Sequence, residues 1–400
     1  MIVDYKTNRF QLDAVFQALQ KIIVQHLYAD KALETVLRMH RYTPRQKQFI
    51  AETTYDIIRY WRYLSVLSNT EELNHRSFVR MFYVFAFFKK WKTINFNVDI
   101  KEGLIIERMK RFSKVTKISE SVPDWLDEWG NTAYGSNWSG IINALNRKPS
   151  LYLRVNTLKT RLDHLQDILR VQGVETVDVP EFPEALIVEP YENVFAVPAF
   201  KEGLFEVQDA ASQQVAKMLD PLPGERVVDG CAGNGGKTVH LACLMKNKGK
   251  VLALDTDDKK LKTLQQRAAR AGASIIEVRH IDSTKTVKRL EGTADKLLLD
   301  VPCSGTGILR RNPDIKWRIT PENIQRLIEL QANILSRYSN LVKPGGRLLY
   351  STCSILPEEN QHQVQAFLAR ETNWKLVKEQ QLLPDKQNCD GFYMALLERT

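Results

Sequence analysis

The chain has 400 residues, 44% hydrophobic and 26% charged, which suggests two or three domains with ordinary cores and excludes disorder throughout. Its formal net charge of +10 favours a polyanionic partner, nucleic acid or an acidic membrane surface. Five cysteines with no C-x-x-C pair argue against a disulfide framework and a zinc site, so no metal is expected and free thiols fit a reducing cytoplasm.

Met1 to Lys6 shows no basic stretch followed by an apolar one, so no signal peptide is expected. Leu12, Val15, Phe16, Leu19, Ile22, Ile23 and Leu27 recur at three and four, the spacing of one helix face. A second helix starts at Thr43-Pro44, with Gln46 three after the capping threonine, and its face runs through Ile50, Ile57, Tyr60 and Leu64. Arg38, Arg41, Arg45, Lys47, Arg59 and Arg62 make this region basic. The longest apolar run, Met81 to Phe88, ends at Lys89 and Lys90 and is too short to span a bilayer. No strand signal intervenes, so the first part reads as an all-α, basic domain, residues 1–120.

Lys101 to Lys117 reads as a linker or exposed helix, and a helical stretch follows around Trp125 to Leu145. Strands at Leu151 to Val155, Leu186 to Val188 and Gly203 to Val207, with a helix from Leu162 to Val171 stopped by Gly173, make a small α+β unit. That unit, with its linker helix, is expected over residues 121–205. From Arg226 strands and helices alternate. Strands are predicted at Val227 to Asp229, Val251 to Asp255, Ile275 to Val278, Lys296 to Asp300, Arg347 to Ser351 and Phe392 to Leu397. A helix starts at Thr320-Pro321 and is ended by Lys343-Pro344-Gly345-Gly346. Alternation of this kind predicts an α/β, doubly wound parallel sheet over residues 206–400.

Asp229-Gly230-Cys231-Ala232-Gly233-Asn234-Gly235-Gly236-Lys237-Thr238 leaves the first of these strands and opens a helix. Glycines let a ligand approach the backbone, and a helix N-terminus offers free N–H groups. The run is neither G-x-G-x-x-G nor a P-loop, so a dinucleotide or phosphate fingerprint is absent. Asp255 closes the next strand and can accept hydrogen bonds from a ribose. Together they point to a nucleoside-containing cofactor; the bland alternative is a glycine turn that merely packs a helix on a sheet.

Asp300-Val301-Pro302-Cys303-Ser304-Gly305 leaves the fourth strand and Ser351-Thr352-Cys353-Ser354 the fifth. Both thiols are therefore expected on the rim that holds the cofactor turn, whereas Cys243, within a helix, reads as filling. Carbon 5 of a cytosine is too weak a nucleophile to take a methyl group unaided. A thiolate adding at carbon 6 makes the ring enamine-like, carbon 5 can then attack a sulfonium methyl, and a base removes the carbon-5 proton as the thiol is eliminated. A carboxyl group near ring nitrogen 3 would stabilise the adduct, and Asp300 suits that position.

At these residues the chain resembles the RsmB-type, or Sun, family of RNA cytosine-C5 methyltransferases. The resemblance is carried by Val207 to Ser212, the glycine turn, Asp300 to Gly307, Arg310-Arg311-Asn312-Pro313-Asp314-Ile315-Lys316-Trp317, Ser351 to Ser354 with Pro357 to Asn360, and Gly391-Phe392. Arg154 to Lys159 matches the family's small RNA-binding domain, which is RRM-like, and the first hundred residues are similar to a NusB-like RNA-binding domain. The resemblance implies a Rossmann-like methyltransferase sheet that uses S-adenosyl-L-methionine. It implies Cys353 as nucleophile, Cys303 for proton removal and product release, and Asp300 in contact with both base and cofactor. Cys231, Ala232, Gly233, Asn234, Gly235, Gly236 and Lys237 would form the cofactor loop, with Asp255 and Asp282 as further cofactor-binding acids. Arg310, Arg311 and Lys316 are candidates for gripping RNA phosphates. The family usually has proline where Asn234 stands, and asparagine tolerates left-handed backbone.

The expected activity is methylation of a cytosine, with the NusB-like start favouring small-subunit ribosomal RNA over transfer RNA. The competing readings are a transfer RNA enzyme, a non-catalytic RNA-binding or ribosome-assembly factor, and a nicotinamide-dependent oxidoreductase. The intact cysteine pair counts against the second, and the missing dinucleotide fingerprint against the third. Neither a membrane nor a metal is expected as a partner, and the expected location is cytoplasmic.

Overall fold

The computed structural model describes residues 1–190, 193–282 and 284–400. They form two compact units: Met1–Arg147 with Leu309–Pro321, and Lys148–Ile308 with Glu322–Thr400. Among the described residues no helix is long and apolar enough to cross a membrane.

The first unit is built from helices, among them Arg9–Leu19, Ala29–Arg38, Pro44–Arg59, Trp61–Ser68, His75–Phe88 and Glu102–Phe112. Its core gathers Leu12, Val15, Leu19, Ile50, Ile57, Leu64, Phe82 and Phe85, each contributing about 1.5–3 kcal/mol on burial. The capping box at Thr43 forms as its sequence predicts: Gln46 N–H donates to Thr43 Oγ1, and Thr43 N–H to Gln46 Oε1. Three details differ from expectation. The helix after Thr43 breaks at Tyr60, whose φ of −108° and ψ of 24° leave the helical region. Leu27 is exposed, because the first helix turns into a π-helix at Gln20–Val24. The unit is also not wholly helical. Strands β1 (Ile2–Asp4) and β2 (Lys92–Ile94) pair in parallel and help cover the core with Val3.

Residues Leu309–Pro321 belong to this unit although the flanking sequence forms the sheet of the other. Lys316 Nζ donates to the Arg59 carbonyl at 2.8 Å and to Asn146 Oδ1 at 3.0 Å. Trp317 Nε1 donates to the Ile58 carbonyl, and Asp314 accepts from the Ala29 N–H. Arg318 lies over the Tyr28 ring. This corrects the expectation of a basic, phosphate-gripping loop for two of its three residues. Arg310 and Lys316 are each 1% exposed, and the Lys316 Nζ is taken up by protein oxygens. Arg311 is half-buried.

The second unit has two sheets. The smaller one contains β3 (Tyr152–Val155), β4 (Thr176–Asp178), β5 (Ala185–Val188) and β6 (Phe205–Val207) in the antiparallel order β4-β5-β3-β6. The helix Leu162–Val171 packs on it. The edge strand β4 has no counterpart in the sequence prediction. Arg154 and Asn156, at the end of β3, are buried. Asn156 donates to the carbonyls of Gly203 and Ala271 and so ties the small sheet to the end of the helix Asp258–Ala271.

The large sheet contains β7 (Arg226–Asp229), β8 (Lys250–Asp255), β9 (Ile276–His280), β10 (Ala294–Asp300), β11 (Val342–Thr352), β12 (Trp374–Leu382) and β13 (Phe392–Arg399), in the order β12-β13-β11-β10-β7-β8-β9. Strands β7 to β11 run parallel. Leu297, Leu298 and Leu299 are all fully buried, the continuous apolar run of a strand covered on both faces. The expectation of an all-parallel sheet is corrected at one edge, where β13 runs antiparallel to β11 and to the unpredicted β12. Lys343-Pro344-Gly345-Gly346 also does not end the preceding helix, which stops at Tyr338. It is a bulge inside β11: Ala294 pairs with Val342, and Lys296 next with Arg347. From β7 the chain goes to β8 and β9 on one side, then crosses to β10 and β11 on the other. The carboxyl ends of β7 and β10 flank that switch point, where such sheets bind ligands.

Candidate active site

Strands β7, β8 and β10 each end in an aspartate, and β11 ends one residue before Cys353. Parallel pairing puts these ends on one rim.

The turn after β7 owes its shape to two glycines, Gly233 with φ of 53° and Gly235 with φ of 81°. Asn234 between them does not have a positive φ. Its tolerance of left-handed backbone is therefore not what the turn uses; the flanking glycines absorb that conformation. Asp255 holds the turn to β8, accepting from the Gly233 N–H at 2.8 Å through Oδ2, while Oδ1 accepts from the Asp257 N–H. Two guanidinium groups hold its carbonyls: Arg267 donates to Asn234 and Arg154 to Gly236. Arg154 also donates to Gln208, and Arg267 pairs with the buried Glu206.

Asp229 is buried at the foot of the turn. Its Oδ2 accepts from Thr238 Oγ1 at 2.7 Å, and its Oδ1 has no hydrogen-bond partner among the described residues. Burial, only partly offset by the Thr238 bond, pushes its carboxyl up to about 7. The Cys231 thiol is held well above its ordinary value by burial and by the charges of Asp229, Asp300 and Asp255, so Cys231 is unsuited to act as a nucleophile.

Lys237, in the first turn of the helix Gly236–Leu244, donates to Asp300 Oδ2 at 2.6 Å, and Ser351 donates to Asp300 Oδ1 at 3.0 Å. The Lys237 ammonium also lies 5.1 Å from the centre of the Phe392 ring. Three residues beyond β10 and one beyond β11, the half-buried Cys303 and Cys353 bring their sulfurs within 3.3 Å. The Cys303 thiol is held well above its ordinary value, first by its hydrogen bond to Cys353, then by burial and by the charges of Cys353 and Glu359.

The structure thus brings together the glycine turn, Lys237, Asp255, Asp300, Cys303 and Cys353. Asp282 lies beyond the end of β9, exposed, accepting from Thr286 Oγ1. Arg310, Arg311 and Lys316 fall in the other unit. Sequence reasoning missed the role of Asp229, although an acid closing the first strand before a glycine turn was a usable signal. It also assigned no role to Glu359, which entered only within the segment Pro357 to Asn360 that carries the resemblance. Among the described residues no group of three or more His, Cys, Asp or Glu could hold a metal ion.

Residues 216–398 match the family described as 16S rRNA methyltransferase RsmB/F, and residues 122–194 match the ferredoxin-like domain of RsmF/B-like methyltransferases. The ribosomal RNA small subunit methyltransferase B of Salmonella typhi is 39% identical over 283 residues, covering 69% of this chain and 66% of that one. The protein of the same name from Shewanella oneidensis is 36% identical over 316 residues, 75% of this chain and 73% of that one. The chain thus spans about two thirds to three quarters of these relatives' length. The crystal structure of PH0851 superposes with a TM-score of 0.81 at 28% identity, covering 98% of each chain. The chain belongs to the RsmB/F family of RNA methyltransferases.

Proposed function

We propose that this chain transfers a methyl group from S-adenosylmethionine to carbon 5 of a cytosine in small-subunit ribosomal RNA, through a covalent bond between Cys353 and carbon 6. The observation that carries the reading is the 3.3 Å approach of Cys303 and Cys353, on the rim that also bears Asp300 and Lys237. Names shared with ribosomal RNA enzymes support the substrate class.

The residues present fit the cofactor. The unpartnered Asp229 Oδ1 suits an amino group, Asp255 closes the second strand where ribose hydroxyls are held, and the left-handed glycines leave the backbone open to close approach. Bound there, S-adenosylmethionine supplies an electrophilic methyl that an electron-rich carbon 5 can accept.

The cysteine pair accounts for the rest of the chemistry. The hydrogen bond to Cys353 leads the causes that hold the Cys303 thiol above its ordinary value, so Cys353, acting as the thiolate, is the sulfur assigned to attack. It adds at carbon 6, and the ring's electron pair moves toward carbon 5 and nitrogen 3. The Lys237–Asp300 pair offers a proton donor and a carboxylate for the ring edge. Once the Cys353 sulfur is bonded to carbon it no longer accepts from Cys303. The main cause that held the Cys303 proton is then weakened, and that proton can pass to solvent. Once carbon 5 carries the methyl group, the resulting Cys303 thiolate takes the carbon-5 proton; that bond's electron pair re-forms the carbon 5–carbon 6 double bond, and the Cys353–carbon bond breaks with its pair returning to Cys353.

Arg38, Arg41, Arg45 and Lys47 are exposed on the helical unit. They give it a basic face suited to selecting RNA through salt-dependent phosphate contacts, in line with its NusB-like reading. The test is nucleoside mass spectrometry of ribosomal and transfer RNA incubated with the protein and labelled S-adenosylmethionine. Label in 5-methylcytidine of small-subunit ribosomal RNA is expected. Label only in transfer RNA would move the substrate, and no label in either would leave the non-catalytic reading.

A further inference from the structure

Glu359 lies in the short 3-10 turn Pro357–Glu359, with no solvent exposure. Its Oε1 accepts from the Ser304 N–H at 2.8 Å and from Gln331 Nε2 at 2.9 Å. Its Oε2 accepts from the hydroxyls of Ser304 and Ser354, each at 2.5 Å. Ser304 follows Cys303 directly, and Ser354 follows Cys353. Thr306 bridges the same two hydroxyls, 3.1 Å from Ser304 and 3.0 Å from Ser354. Gln331 also donates to the Pro302 carbonyl, on the other side of Cys303. A buried carboxylate is costly unless its oxygens are satisfied. Here four donors converge on it from both cysteine loops and from the helix Pro321–Tyr338 behind them.

We propose that Glu359 is the positioning residue of the thiol pair: one carboxylate that ties the Cys303 loop to the Cys353 loop and sets how the two sulfurs share a proton. It touches neither sulfur and acts through Ser304 and Ser354. A purely structural role would need only the four hydrogen bonds. The charge adds something that bonding alone does not, because Glu359 is among the causes that keep the Cys303 proton in place. The other titratable groups that bear on Cys303 are Cys353 beside it and Tyr350 on β11, whose hydroxyl donates to the Glu359 carbonyl. The proposal deepens the methyl-transfer reading and rests on it only where turnover is measured.

The experiment is the pH dependence of carbamidomethylation of Cys303 and Cys353 by iodoacetamide, read by peptide mass spectrometry without RNA. It is run on the full chain and on Glu359→Gln, which keeps the shape and removes the charge. Near-UV circular dichroism checks the fold. The Cys303 midpoint is expected to fall by about one pH unit, or ~10-fold faster labelling below the midpoint. Methylation kcat is expected to fall at least ~10-fold with little change in KM for RNA, as for a group that acts only on the chemical step. A folded Glu359→Gln protein with an unchanged thiol profile overturns the proposal. If that variant does not fold, Ser354→Ala removes one of the four donors. The looser thiol pair should shift the Cys303 midpoint in the same direction, and a wild-type profile there is equally fatal. A shifted thiol profile in a chain that methylates nothing would keep the positioning role and sink the reaction. A wild-type profile in a methylating variant would do the reverse.

Discussion

Lys237 and Asp300 form a 2.6 Å ion pair that spans the rim from the glycine turn to the exit of β10. Their side chains are 14% and 28% exposed, so water screens the pair only in part. Burial alone would lower the lysine, but the charge and hydrogen bond of Asp300 outweigh it and hold Lys237 above its ordinary value of 10.5. A raised lysine contributes stability that is complete below its unfolded value and is lost as pH rises through the folded one. Lys237→Met should therefore cost about 2 kcal/mol at neutral pH, between an exposed and a fully buried pair. Adding Asp300→Asn should recover part of that loss. Urea midpoints of the two single variants and the double variant measure the coupling, and strict additivity would show that the pair does not act as a unit.

The two cysteines are not equivalent, because the hydrogen bond to Cys353, then burial and the charges of Cys353 and Glu359, hold the Cys303 thiol well above its ordinary value. Cys353→Ser should lose turnover by more than about 10³-fold, the scale of losing a nucleophile that works as part of a unit. Cys303→Ala should still add to the base but stall before release, leaving a protein–RNA adduct that survives denaturing electrophoresis. Retained methylation by Cys353→Ser would remove the covalent step. Only free protein with Cys303→Ala would move the release role elsewhere.

Asp229 offers a pH signature. Its folded value of about 7 lies above the ordinary 3.8, so between these values the folded state binds more protons than the unfolded one. Stability should therefore fall as pH rises through that window. An amino group arriving at its open oxygen would favour the ionised form. S-adenosylmethionine should then bind more tightly at pH 8 than at pH 6 and release a proton near neutrality. Titration calorimetry in two buffers of different ionisation enthalpy detects that proton. Asp229→Asn should abolish the release and weaken binding by about tenfold or more, the cost of losing one charge-assisted bond. Equal proton release by wild type and variant would place the group responsible elsewhere.

The site was legible where local signals are strong. Strands β7, β8 and β10 stop at an aspartate and β11 just before a cysteine, each followed by turn residues, so the rim could be assembled from the sequence. Edge strands were not legible. In β12 the residues from Lys375 to Gln380 are exposed, and Lys375-Leu376-Val377-Lys378-Glu379-Gln380 lacks the alternation of a half-buried strand. Pro357-Glu358-Glu359-Asn360 was legible only as part of the resemblance, and nothing local separates the half-buried Glu358 from the fully buried Glu359. The segment Leu309–Pro321 misled for a similar reason. Its lysine and arginines look solvated, and the partners of Lys316, Arg59 and Asn146, lie more than 150 positions away in the chain.

That buried lysine has a measurable consequence. Burial, and next the charge of Arg59, hold Lys316 well below its ordinary 10.5, with Glu120 opposing only in part. The folded state then binds fewer protons than the unfolded one between the lowered value and 10.5, so stability should rise with pH across that window. Lys316→Met keeps the length of the side chain and removes the charge. It should flatten the rise between pH 7 and 10 relative to wild type. The Arg59 carbonyl and Asn146 Oδ1 lose a donor, costing about 1 kcal/mol, while the penalty for burying a charge disappears. The net change at pH 7 should therefore be small or stabilising, unlike the loss expected for Lys237→Met. Thermal unfolding of both proteins across the pH range decides it: parallel curves would mean that Lys316 is as readily protonated when folded as when unfolded.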